Sequence, residues 1–220
     1  MGYLNVNSIR HKIHQIIDIL YPNNLDFFTL AETKIDTTFP DAQFKIHGYR
    51  LFRKDRTQYG GGLITYVRDD IPCRLWKHFE TIHIETLSIE IMVGKTKWFI
   101  ISGYKPPKVK DHIFQQEAIA LLNRATIDFQ NIVLMGDLNF DMMHMAKGST
   151  LRNICDIYNF YNTIREPTFH TEKSTSLIDV FLRNQNGKLI ECGVIKNDIS
   201  DGHSLTYGVF RATTSRLRPR

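Results

Sequence analysis

Asn131-Ile-Val-Leu-Met-Gly-Asp-Leu-Asn139 (NIVLMGDLN, residues 131–139) is the stretch on which the reading of this chain turns. Its apolar run is too short for a helix and rich in branched side chains, so it reads as a buried strand. The run passes without a linker into a carboxylate and an amide, Asp137 and Asn139. Strand ends that feed loops are where a rigid scaffold presents chemistry.

The same arrangement recurs outward in both directions. Tyr3–Val6 reads as a strand running into Asn5 and Asn7, and Asp26–Ala31 (DFFTLA) as a buried strand running into Glu32. Lys97–Tyr104 (KWFIISGY) ends at Tyr104, with Ile82, Ile84, Leu87, Ile89 and Ile91 marking its partner. Tyr49–Arg53 and Leu63–Arg68 form a strand pair around a connection ending in Gly60-Gly61-Gly62. Leu177–Leu182, with Asp179 inside it, Leu189–Val194 and Leu205–Phe210 close the chain as strands.

Helical spacing appears three times. Ile13, Ile16, Ile17 and Leu20 form one stripe, with Asn7 or Ser8 as a capping residue and Pro22 as the stop. Phe114, Ala118, Leu121, Leu122 and Ala125 form a second. Leu151, Ile154, Cys155 and Tyr158 form a third, which makes Cys155 a core residue. Helices interspersed with antiparallel-looking strand pairs predict an α/β fold.

Composition narrows the field. The chain has 220 residues, 42% hydrophobic and 23% charged, with 28 basic against 23 acidic side chains and a net charge of +5. That is one generous domain with enough apolar residues for a core, which excludes general disorder. No apolar run approaches the ~18 residues of a membrane span. Met1-Gly2-Tyr3 lacks the basic head and apolar stretch of a signal peptide, so no secretion and no membrane association are expected. Cys73, Cys155 and Cys192 are odd in number and far apart, against a disulfide framework or thiolate zinc site and consistent with reduced thiols inside a cell. If the strand ends converge, their carboxylates and amides, with His203 just before the last strand, make a pocket suited to Mg²⁺ or Mn²⁺ and to phosphate-ester cleavage. A single aspartate at a strand end is usually turn chemistry; the joint occurrence in this order carries the inference.

Together LNVNSIRHK (4–12), AETKID (31–36), RKDRTQYGGGLITYVRDDIP (53–72), IVLMGDLN (132–139), STSLIDVFLRN (174–184) and SDGHS (200–204) resemble the endonuclease domain of LINE-type non-LTR retrotransposons. That domain belongs to the endonuclease/exonuclease/phosphatase superfamily, with apurinic/apyrimidinic endonucleases and deoxyribonuclease I. The resemblance implies a four-layered α/β sandwich, two mixed β-sheets packed face to face with helices outside. It implies an endonuclease domain over residues 1–210 and a basic C-terminal tail over 211–220. It also implies a divalent-metal-dependent endonuclease that nicks DNA, a nuclear location, and a reverse transcriptase domain as partner that this chain does not contain.

By the same resemblance Glu32 binds the metal, assisted by Asn5, Asn7 and Asp201. Asp137 orients or deprotonates the attacking water, Asn139 binds the phosphate, Asp179 pairs with the catalytic His203, and Tyr104 contacts phosphate. Thr168, in Glu166-Pro167-Thr168-Phe169, resembles a threonine that contacts the DNA backbone. Arg53, Lys105 and Lys108, among the basic loop residues, are read as a nucleic-acid footprint. One departure stands out: the family has Ser-Asp-His contiguous, whereas this chain reads Ser200-Asp201-Gly202-His203. Glycine can absorb the extra residue as a bulge. An imidazole swung away would instead leave a catalytically inactive nucleic-acid-binding relic. A third reading keeps the fold and changes the substrate to phosphomonoesters or phospholipid head groups.

Overall fold

The computed structural model describes residues 1–22, 24–146, 148–184 and 189–211. Most of the proposed basic tail, residues 212–220, lies outside them. Two six-stranded mixed sheets pack face to face. The first has the order β13-β14-β1-β2-β4-β3, from β1 (Gly2–Asn5), β2 (Phe27–Ala31), β3 (Tyr49–Lys54), β4 (Leu63–Arg68), β13 (Leu189–Ile195) and β14 (Leu205–Phe210). The second has the order β5-β6-β7-β8-β12-β9, from β5 (Cys73–Leu75), β6 (Glu85–Val93), β7 (Thr96–Tyr104), β8 (Ile132–Asp137), β9 (Tyr161–Asn162) and β12 (Asp179–Arg183). A separate hairpin joins β10 (Phe169–His170) to β11 (Thr175–Ser176). The α/β sandwich expected from the sequence is present.

Each sheet is antiparallel except for one central parallel pair, β1 with β2 and β7 with β8. The registers Asn5↔Ala31 and Tyr104↔Asp137 bring the carboxyl ends of all four strands level within their sheets. In open α/β sheets the carboxyl ends of parallel strands are where ligands bind, because the chain leaves the sheet there and its polar groups are free of the ladder. Buried hydroxyls lock the sheets together. Thr29 Oγ1 lies 2.7 Å from Ser102 Oγ across the sandwich and 2.9 Å from Thr65 Oγ1 beside it.

Helix α1 (Ile13–Leu20) covers the outer face of the first sheet, where Ile16 and Leu20 join Leu4, Phe28, Leu30, Ile64 and Tyr66 in one apolar cluster. Helices α2 (Asp111–Asp128) and α3 (Thr150–Tyr158) bury Phe114, Ala118, Leu121, Leu122, Ala125, Leu151, Ile154 and Cys155 in the larger core of the second sheet. Fully burying one such Leu or Phe contributes about 2 kcal/mol, which explains why the helical stripes were readable. Among the described residues no helix is long and apolar enough to cross a membrane.

Two local expectations are corrected. Neither Asn7 nor Ser8 caps α1: the helix starts at Ile13 behind Lys12, without a side-chain cap. Asn7 and Ser8 take left-handed conformations (φ 43° and 81°) in a loop that serves the carboxyl end of β1. β12 begins at Asp179 and not at Leu177, because Leu177 and Ile178 bond the loop after β8 instead: Met142 N–H donates to Leu177 O and Leu138 N–H to Ile178 O.

Candidate functional site

The site is assembled where the strands end. Asp137, 2% exposed at the last position of β8, is held from three directions. The Asn5 side-chain amide donates to its Oδ2 at 2.9 Å, and the Asn139 backbone N–H to its Oδ1 at 3.1 Å. Its own backbone N–H donates to the Tyr3 hydroxyl at 2.8 Å. Opposite it in the antiparallel register stands Asp179, 0% exposed. Two carboxylates so close and so dry cannot both ionise cheaply. Burial first, and the Asp179 charge second, push the Asp137 carboxyl well above the usual carboxylate range, against the pull of His203, Asn5 and Asn139.

His203 answers that charge. Its Nδ1 lies 3.0 Å from Asp179 Oδ2 and 3.2 Å from Oδ1, and its Nε2 lies 3.9 Å from Asp137 Oδ2. Burial disfavours the imidazolium, yet the hydrogen bond and charge of Asp179, with Asp137 behind them, raise the histidine pKa above its ordinary value. The ring orientation is thereby fixed, with Nδ1 toward Asp179 and Nε2 toward Asp137.

Gly202 makes this geometry compatible with the extra residue. At φ +89° it bulges, its C=O accepts the His170 N–H at 2.9 Å, and its N–H donates to Ser200 O at 2.9 Å. The chain then pairs His203 with Phe169 as a single bridge, and the two rings sit 4.5 Å apart. The insertion is absorbed in the bulge, and the imidazole stays on Asp179.

A second group gathers around Glu32. The Tyr104 hydroxyl donates to Glu32 Oε1, and burial, then Glu32 itself, raise the phenol pKa. Lys34 Nζ lies 3.6 Å from Glu32 Oε2 and donates to Asn7 Oδ1. Asn7 Nδ2 donates to Asp201, and the Asn7 backbone N–H to Asn5 Oδ1 at 3.2 Å. An unbroken chain of contacts therefore runs from Glu32 through Lys34, Asn7 and Asn5 to Asp137. Of the seven non-glycine residues with positive φ among the described residues, five (Asn7, Ser8, Glu32, Lys34 and Asn139) lie in or beside this cluster. Each such residue costs about 1–3 kcal/mol, and they persist because the surrounding contacts over-determine them.

The donor set suits a divalent cation. Glu32 and Asp201 offer carboxylates and Asn5 and Asn7 offer amide oxygens, the hard donors that Mg²⁺ and Mn²⁺ select. Lys34 shows that a positive charge is attracted between Glu32 and Asn7. Asp137, Asp179 and His203 also lie close enough together to hold a metal. There, however, the imidazole is committed to Asp179, and a nitrogen donor suits these cations less well. The residues fit a hard cation on the Glu32 side.

The structure brings together Asn5, Asn7, Glu32, Tyr104, Asp137, Asn139, Asp179, Asp201 and His203. It does not bring together the nucleic-acid footprint. Thr168 is 0% exposed, and its Oγ1 accepts the N–H of Ile178 (3.2 Å) and of Asp179 (3.0 Å) while its C=O accepts that of Ser204 (2.7 Å). It clamps the backbone of the Asp179–His203 pair from behind. Lys105 is 3% exposed, its ammonium 3.8 Å from Asp111 and over the Phe140 ring. The Arg53 guanidinium is taken by Asp41, Asp55 and the carbonyls of Asp36 and Phe39. Of the four, Lys108 alone is exposed.

Two buried residues behind the cluster were read from the sequence only as parts of strands. Tyr3 reaches Asp137 from the other sheet. Glu85 accepts the Gly62 N–H and an Arg56 N–H at 2.6 Å, beneath the glycine loop whose Gly61 and Gly62 carbonyls bind the N–H groups of Lys34 and Thr33. An acidic residue opening an apolar strand was the available signal for Glu85.

Comparison with known proteins agrees with this architecture. The endonuclease domain of TRAS1, a telomere-specific non-LTR retrotransposon, is 14% identical, with 98% of this chain and 99% of that one covered and a TM-score of 0.75. The 3′ phosphatase NExo from Neisseria, solved with product DNA hairpin, is 18% identical over 96% and 99% of the two chains, with a TM-score of 0.73. An AP endonuclease from Archaeoglobus fulgidus is 18% identical over 95% and 98%, with a TM-score of 0.68. At these identities the likeness is one of fold. No curated protein matches the chain significantly. The model of the Endonuclease/Exonuclease/phosphatase family matches residues 2–201, and on that match, with the sandwich and its polar strand ends, the chain belongs to the Endonuclease/Exonuclease/phosphatase family.

Proposed function

We propose that this chain is a divalent-metal-dependent endonuclease that nicks DNA phosphodiester bonds, of the kind that opens a target site for a retrotransposon. The observation that carries the reading is the Asp137–His203–Asp179 cluster at the carboxyl ends of the parallel strands, intact despite Gly202. Asp137, with its pKa raised by burial and Asp179, is a base able to take a proton from an attacking water near neutral pH. Asn5 and the Asn139 N–H fix the orientation of that carboxylate. His203, held by Asp179, presents Nε2 to a phosphoryl oxygen, and the free amide hydrogen of Asn139 does the same beside it. Tyr104 and Lys34 keep Glu32 in place. A cation held by Glu32, Asn7 and Asp201, with Asn5 assisting, would supply positive charge to the leaving oxygen.

DNA is the substrate class we favour. The solved neighbours include the retrotransposon endonuclease domain, and TDP2 from D. rerio was solved with a single strand DNA product. The same reading takes residues 1–210 as the nuclease domain, 211–220 as its basic tail, a reverse transcriptase as the partner domain and the nucleus as the place of action. The test is relaxation of supercoiled plasmid with Mg²⁺, with chelator, and with Asp137→Ala. Metal-dependent nicking that the variant loses by at least ~10³-fold supports the proposal. No nicking, or undiminished nicking by the variant, overturns it. Release of phosphate from 3′-phosphorylated ends without nicking would move the assignment to a phosphatase.

A further inference from the structure

Side chains alternate across a strand, so Tyr3 and Asn5 of β1 point to one face and Leu4 to the other. Leu4 packs under α1, whereas Tyr3 belongs to the core shared with the second sheet. Both residues of that face reach Asp137. Asn5 holds its carboxylate, and the fully buried Tyr3 holds its backbone: the hydroxyl accepts the Asp137 N–H at 2.8 Å and donates to Gly103 C=O at 3.2 Å.

The location of that hydroxyl matters. With Tyr104 opposite Asp137 and the Lys105 N–H on Asp137 C=O, the Asp137 N–H and Gly103 C=O are the donor and acceptor of the preceding rung of the parallel ladder. The phenol contacts both groups of that rung. Gly136 lets the two strands approach closely here, since a Cβ on it would stand 2.2 Å from Gly103 O. The last residue of β8 is therefore tied by a phenol anchored in the opposite sheet.

Resting on the function proposed above, we infer that Tyr3 is a positioning residue for Asp137, setting where its carboxylate stands relative to His203. A buried hydroxyl can also be merely structural, so the control is Thr29→Val. That variant removes another buried hydroxyl between the sheets, one that bonds no residue of the site.

The experiment compares Tyr3→Phe, Thr29→Val and the wild type for nicking kcat and KM, thermal unfolding, and amide hydrogen exchange by NMR. Tyr3→Phe is expected to lower kcat roughly 10- to 100-fold with KM within about twofold, as a carboxylate displaced by up to ~1 Å would do. It should speed exchange at the Asp137 amide at least ~10-fold, because that N–H loses the phenolic acceptor beside its ladder partner. Thr29→Val should lower the melting temperature without changing kcat or Asp137 exchange. An unchanged kcat in Tyr3→Phe, or an equal loss of kcat in Thr29→Val, overturns the inference. If the wild type itself fails to nick, the proposed function fails, and exchange at Asp137 still decides: a rate unaltered by Tyr3→Phe refutes the positioning role.

Discussion

Replacing Gly202 by alanine tests the site at the point where this chain departs from the sequence it resembles. At φ +89° an L side chain is disfavoured by about 1–2 kcal/mol. The added Cβ would also meet His170 O at 2.4 Å, about 1 Å inside the 3.4 Å at which ordinary contact begins, and Phe169 Cε2 at 3.1 Å. Backbone oxygen cannot rotate away, so the bulge must shift by roughly that 1 Å. His203 is the next residue, and a 1 Å shift stretches its 3.0 Å bond to Asp179 beyond hydrogen-bonding distance. Strain and clash together cost about 2–4 kcal/mol, or roughly 5–15 °C in melting temperature for a domain of this size. The misplacement should lower the nicking rate ~100-fold. Urea unfolding and plasmid nicking measure the two effects separately. Deleting Gly202 should also lower the rate, because it removes one residue from a path that already delivers the imidazole. Wild-type rate and stability in Gly202→Ala would refute the reasoning, and nicking that arises only on deletion of Gly202 would favour the inactive relic.

Thr168→Val takes an acceptor from the part-buried Ile178 N–H and the buried Asp179 N–H, at about 1–3 kcal/mol for the buried one. It should destabilise the fold and depress nicking while DNA affinity in metal-free filter binding stays unchanged; weaker binding with normal stability would restore a surface role. Lys108→Ala should reduce the salt dependence of DNA affinity by about one unit of slope. Arg53→Ala should leave that slope alone and lower the urea midpoint, because its four partners lie within the protein. Burial raises the Glu85 pKa above its ordinary 4.5 despite Gly62 and Arg56. A carboxyl whose pKa is higher folded than unfolded favours folding below the unfolded value and loses that contribution as pH rises through the folded one. Wild-type stability should therefore fall relative to Glu85→Gln as pH climbs from 4.5 toward neutrality, and a pH-independent difference between the two would count against this account.

The longer elements and the polar groups at their ends are legible in the chain alone. The stripes of α1, α2 and α3 and the apolar runs of β2, β4, β7 and β8 are patterns of burial, and burial is written locally in the alternation of side chains. Short edges such as β5, β9, β10 and β11 escaped because two or three residues carry no period. The site residues were legible because carboxylates and amides follow one apolar strand after another, although each alone would be ordinary turn chemistry.

The tertiary structure alone decided which groups meet and which are spent. Whether His203 reaches Asp179 past Gly202 depends on a bulge packed against β10, some thirty residues away in sequence. Thr168, Lys105 and Arg53 have the right chemistry for a phosphate, but folding turned each inward onto partners within the protein. Tyr3 and Glu85 look like ordinary strand residues until the second sheet and the glycine loop are placed beside them. A side chain's type fixes the bonds it can make, and only the packing of distant strands fixes the ones it does make.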